Sequence, residues 1–109
     1  METNHWIKIA DDENSLQWNE NGIALVSIEN KEICIIKTTE GLHACNEKCP
    51  HAGAPLEVTG SVDSHCILTC SRHHYKFNLK RGRDAFNEGY FLKVYPVRKE
   101  ADGIYINFR

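Results

Sequence analysis

The feature that most constrains this chain is a rhythm of short β-branched and aromatic runs, each closed by turn residues. WIKIA (Trp6–Ala10) alternates apolar and polar residues and predicts a strand. NENG (19–22) turns into IALVSI (Ile23–Ile28), and ENK (29–31) turns again into EICIIKT (32–38), completing a hairpin. EG (40–41) precedes a further short strand at 42–46. Later strands are predicted at HCILTC (65–70), YKFNL (75–79), YFLKVYPV (90–97) and GIYINF (103–108), the last two flanking a turn at 101–103. Helical spacing is absent over any useful length, and residues 11–17 offer at most one helical turn. The expectation is an all-β antiparallel sandwich or small barrel, in a single domain spanning 1–109.

Composition limits the partners. Hydrophobic residues make up 41% and charged residues 26%, and the net charge is −2. That balance argues against nucleic acid, which asks for a basic surface. No apolar run approaches membrane-spanning length, and METNHWIKIADDENS lacks the apolar stretch of a signal peptide. The five cysteines, Cys34, Cys45, Cys49, Cys66 and Cys70, are an odd number. Without an export signal they speak against a disulfide framework and for a cytoplasmic location, with metal ligation as the leading use of some of them.

Two segments concentrate that chemistry, CPHAGAPL (49–56) and CSRHHYKF (70–77). The pattern is C-x-H, a gap of 18 residues, then C-x-x-H, formed by Cys49, His51, Cys70 and His73. Two thiolates and two imidazoles suit a tetrahedral zinc ion or an iron–sulfur cluster. Structural zinc sites usually pair like ligands within one segment. Here each segment supplies one cysteine and one histidine, which suits a dinuclear cluster with both cysteines on one iron and both histidines on the other. A four-cysteine site from Cys45, Cys49, Cys66 and Cys70 is the competing arrangement, and it leaves both histidines without a role. Cys45 and Cys66 read more simply as buried residues in strands feeding the two segments, and Cys34 reads as core. His5, His43 and His65 read as surface residues.

These segments resemble the two cluster loops of the Rieske-type [2Fe–2S] proteins, and FLKVYPVRKEADGIYINF is similar to the closing strands of Rieske-type ferredoxins. The resemblance implies a β-sandwich with a small inserted cluster-binding subdomain at about 46–79, and one [2Fe–2S] cluster per chain. Cys49 and Cys70 would bind the iron that stays ferric, and His51 and His73 the iron that is reduced. Proton loss from such a histidine would lower the potential at alkaline pH.

The respiratory branch of the family carries an extra cysteine in each loop, joined in a disulfide; this chain has Ala54 and Arg72 there. That branch also places a serine and a tyrosine after the second histidine, where this chain has Tyr75 and Phe77. Phe77 has no hydroxyl, and an aromatic residue at position 75 resembles the ferredoxin and oxygenase branch, which implies a low potential of roughly −150 mV. His74 stands where the family has glycine, and the C-x-x-H spacing favours His73 over it as ligand.

The implied function is electron carriage from an NAD(P)H-dependent flavoprotein reductase to an oxygenase-type acceptor, by a monomer that is not itself an enzyme. The chain is too short to add the mononuclear iron domain of a Rieske oxygenase. An accessory subunit of a redox enzyme is the alternative, and a zinc-stabilised interaction module a third. Ala52, Ala54, Pro55 and Leu56 are expected to form an apolar docking rim. Arg72, Lys76, Lys80, Arg81 and Arg83 read as a solvated basic face.

Overall fold

A computed structural model of the chain describes residues 6–48, 55–56, 60–70, 75–79 and 92–107. The described strands are β1 (Trp6–Ala10), β2 (Ile23–Ile28), β3 (Lys31–Thr38), β4 (Gly41–Asn46), β5 (Gly60–Val62), β6 (Ile67–Cys70), β7 (Tyr75–Asn78), β8 (Val94–Tyr95), β9 (Val97–Glu100) and β10 (Gly103–Asn107). They pair antiparallel in three sheets, ordered β1-β10-β9, β2-β3-β4-β8 and β5-β6-β7. The all-β antiparallel expectation holds. A single 3-10 turn, Glu13–Ser15, lies within the stretch expected to hold one helical turn, with the Asp12 carboxylate accepting from the Ser15 backbone N–H.

The four-stranded sheet is the middle layer, and β3 shows why. Ile33, Cys34, Ile35 and Ile36 are all buried in succession. Successive side chains of a strand point to opposite faces, so such a run needs cover on both. Ile33 and Ile35 join one core with Ala44, Tyr95, Ile104 and Ile106. Cys34 and Ile36 join the other with Cys45, Leu68, Cys70 and Phe77. Each fully buried isoleucine contributes about 1.5–3 kcal/mol of transfer free energy. β3 therefore binds the β1-β10-β9 sheet to one face and the β5-β6-β7 sheet to the other.

The turns explain the register. Glu29 and Asn30 have φ of 50° and 71°, the left-handed pair of a two-residue hairpin turn, which sets Ile28 opposite Lys31. The run at 90–97 does not form one strand. Val94–Tyr95 pairs with β4, Pro96 interrupts, and Val97–Glu100 pairs with β10 in another sheet. Proline has no N–H for the ladder, so the chain changes sheets there; residues 90–91 lie outside the described residues. The strand expected at 65–70 begins only at Ile67, because 63–66 is a turn held by the Asp63 carboxylate. β5 was not expected, being short and centred on a serine beside a glycine.

Candidate metal centre

The described residues frame both Cys/His segments. Lys48 and Pro55 form an antiparallel bridge, and the Leu56 N–H donates to the Glu47 carbonyl at 2.6 Å. That bracket encloses 49–54 in the chain. Its base is tied down further: the Glu47 N–H donates to the Glu32 carbonyl, and the Tyr95 hydroxyl donates to Asn46 Oδ1 at 2.6 Å. The second segment is bracketed in the same way, because Cys70 at the end of β6 pairs with Tyr75 at the start of β7.

The two brackets meet. Gly60 stands opposite Cys70 across β5 and β6. A methyl group on Gly60 would lie 2.6 Å from the Leu56 carbonyl and 3.0 Å from Leu68 Cδ1. Only a glycine lets the exit of the first segment come this close to the strand carrying Cys70. Leu56, Leu68, Cys70 and Phe77 share one core, and Cys70 is 2% exposed. A buried sulfur at the mouth of one bracketed segment, with the other segment's exit packed beside it, fits a metal group held jointly by both.

Of the four expected ligands, Cys70 is placed as described. Cys49, His51 and His73 lie outside the described residues, as do His74, Ala54 and Arg72. Phe77 is fully buried in the core beside Cys70. The expected apolar rim is corrected at Leu56, which is fully buried and serves as core, while Pro55 is exposed. Of the basic residues Lys76 is described, half-buried and donating to Thr69 Oγ1 at 3.2 Å.

The other cysteines are accounted for by packing. Cys34 and Cys45 face each other across β3 and β4, both fully buried. The hydrogen bond with Cys34, and burial, push the Cys45 thiol well above its ordinary value. Its partner in the core is the Cys34 thiol across the strand pair, as for a packed residue. Cys66 is buried as expected, but in the turn before β6 rather than in a strand. His43 corrects the surface reading: it is half-buried, with Nε2 3.1 Å from Thr38 Oγ1 and 3.6 Å from Cys66 Sγ. The signal was its two-residue spacing from Cys45, which puts both on the inward face of β4.

Comparison with known proteins agrees with this arrangement. The model of the Rieske [2Fe-2S] domain matches residues 5–89. The ferredoxin subunit of methanesulfonate monooxygenase from Methylosulfonomonas methylovora is 30% identical over 88 residues, covering 81% of this chain and 70% of that protein. A cholesterol 7-desaturase from Bombyx mori is 29% identical, over 92% of this chain but 22% of its own length. The ferredoxin of carbazole 1,9a-dioxygenase from Nocardioides aromaticivorans IC177 has the same fold, with a TM-score of 0.77 at 17% identity over 95% of this chain and 98% of that one. A similar fold occurs in a complex of reduced oxygenase and oxidized ferredoxin of carbazole 1,9a-dioxygenase, with a TM-score of 0.75 at 20% identity over 96% and 94% of the two chains. Among the described residues no helix is long and apolar enough to cross a membrane. The chain belongs to the Rieske [2Fe–2S] domain family, as an electron-transfer protein that carries one such cluster.

Proposed function

We propose that this protein is a monomeric cytoplasmic ferredoxin that takes electrons from an NAD(P)H-dependent flavoprotein reductase and passes them to an oxygenase or a similar acceptor. The observation that carries the reading is the meeting of the two segments at Gly60, which brings the exit of one beside Cys70 of the other. Cys49 and Cys70 are the ligands of one iron and His51 and His73 of the other, within a cluster-binding subdomain at about 46–79. The bound cluster supplies a one-electron couple, less negative than a four-cysteine cluster because two ligands are neutral. Leu56, Leu68 and Phe77 exclude water from the Cys70 side. Phe77 offers no hydroxyl to a sulfur, so the potential belongs at the low end, roughly −150 mV. The oxygenase acceptor is supported by likeness to a monooxygenase ferredoxin subunit.

Absorption and low-temperature EPR of aerobically purified protein test the assignment. The expected result is a brown protein whose reduced signal averages near g of about 1.9, the mark of mixed Cys/His ligation. Colourless protein holding zinc and no iron overturns it. A midpoint above roughly +100 mV refutes the low-potential assignment. Reduction by a flavoprotein reductase with NADH or NADPH, followed by reoxidation on adding a Rieske oxygenase, tests the two partners separately.

A further inference from the structure

Cys66 has a φ of 62°, in the left-handed region. It follows a tight turn in which the Cys66 N–H donates to the Asp63 carbonyl and the Asp63 carboxylate accepts from the His65 and Ile67 N–H groups. This last position of a hairpin loop usually belongs to glycine, which alone adopts it without steric cost. A cysteine in this strained position points to a use for its side chain. The thiol is fully buried and donates to Thr38 Oγ1 at 3.5 Å, with His43 Nε2 at 3.6 Å. Thr38 ends β3 and His43 lies in β4, so the thiol joins the small sheet to the middle one.

Cys66 also roots both strands that lead to the second Cys/His segment. β6 begins at the next residue and ends four residues on at Cys70, about 13 Å away at strand rise. The Cys66 carbonyl accepts from the Leu79 N–H at 3.0 Å, just past the end of β7. Among the described residues, polar ties between the sheets also include Thr39 Oγ1 to the Ser64 carbonyl and Asn21 Nδ2 to the Gly60 carbonyl, each at 3.4 Å. Of these, the Cys66 thiol is a fully buried donor, whereas Thr39 and Asn21 are exposed.

We propose that the Cys66–Thr38–His43 joint is a positioning element that sets the angle of β6 and β7, and through them the second ligand segment. This rests on the reading of Cys70 as a ligand. With the joint intact the small sheet has one setting on the middle sheet. Without it, Cys70 and the segment beyond it shift relative to the first segment.

The test uses cluster-loaded protein and the variants Cys66→Ala, Cys66→Ser, Cys66→Gly and Thr38→Val. Thr38→Val removes the acceptor and leaves the 63–66 turn alone, while also removing the bonds of Thr38 Oγ1 to the Gly41 carbonyl and the Glu40 N–H in the β3–β4 turn; wild-type values in it therefore count against the joint even where a Cys66 variant folds poorly. The expected result for Cys66→Ala is a shifted midpoint potential, altered EPR g values, and cluster loss to a chelator about five-fold faster, as for one lost hydrogen bond; Thr38→Val, which loses more bonds, shifts the same readouts at least as far. Cys66→Ser keeps a donor and restores wild-type values. Cys66→Gly relaxes the backbone yet behaves like Cys66→Ala. Wild-type potential and g values in both Cys66→Ala and Thr38→Val, with only thermal stability changed, overturn the proposal. A wild-type protein without the [2Fe–2S] spectrum overturns the ligand reading beneath it.

Discussion

Gly60→Ala tests how closely the two ligand segments are held. The new methyl group would lie 2.6 Å from the Leu56 carbonyl oxygen. An ordinary carbon–oxygen contact begins near about 3.3 Å, so the two backbones must part by about 0.7 Å. Neither is free to yield. The Leu56 N–H is bonded to Glu47, and Gly60 is paired with Cys70 while its carbonyl accepts from Asn21. Leu68 Cδ1 at 3.0 Å and Ile23 Cδ1 at 3.5 Å close the remaining directions, although a side-chain methyl can rotate away. Overpacking of this kind costs about 1–3 kcal/mol, which lowers the melting temperature by roughly 4–15 °C in a domain of this size. Because the strain falls between the two segments, iron content should fall as well. The assay is thermal unfolding by circular dichroism, paired with iron and sulfide determination on the same sample. Unchanged melting within about 2 °C and full iron content would refute the close contact.

Three other outcomes follow from the same structure. Cys34→Ala and Cys45→Ala should each cost about 1 kcal/mol in urea unfolding yet keep full iron, whereas Cys70→Ser should lose it; iron loss from a Cys45 variant would revive the four-cysteine arrangement. Glu29→Asn should raise the melting temperature by about 2–5 °C, because glutamate at φ of 50° pays a steric cost that asparagine pays less; a decrease contradicts the turn assignment. The Asp63 carboxyl is held below its ordinary 3.8 by the Ile67 and His65 N–H donors. Its folded value being depressed, its stabilisation is complete above the unfolded value and disappears as pH falls through the folded one. The urea midpoint gap between wild type and Asp63→Ala should therefore be full above about pH 5 and narrow as pH falls below the ordinary 3.8.

The strands were legible where one local rule decided them. Alternation marked β1, and the Glu29-Asn30 turn marked the β2–β3 hairpin, because both are short-range effects. Reading failed where sheets meet. YFLKVYPV looks like one strand because each half has strand-forming residues; that Val94–Tyr95 and Val97–Glu100 belong to different sheets depends on partners far along the chain. His65 and Cys66 read as the first residues of a strand because the left-handed backbone at Cys66 is carried by a residue type that rarely adopts it.

The site divides in the same way. The expected ligands rest on spacing within each segment, which is local; what brings the segments together is not legible in that spacing. That role falls to Gly60, whose missing side chain gives no chemical signal, and to a layer rich in sulfur. Cys34, Cys45 and Cys66 all lie in the core that holds Cys70. The middle and small sheets meet through these compact residues together with Ile23, Ile36, Leu68 and Phe77. The repeated interval from Cys45 to Cys49 and from Cys66 to Cys70 is matched by packing in this layer at Cys45, Cys66 and Cys70. Two stretches of chain leave one buried layer and run on, by different routes, toward the segments expected to hold the metal: Cys45 through β4 and the Lys48–Pro55 bracket, Cys66 through a strained turn and β6.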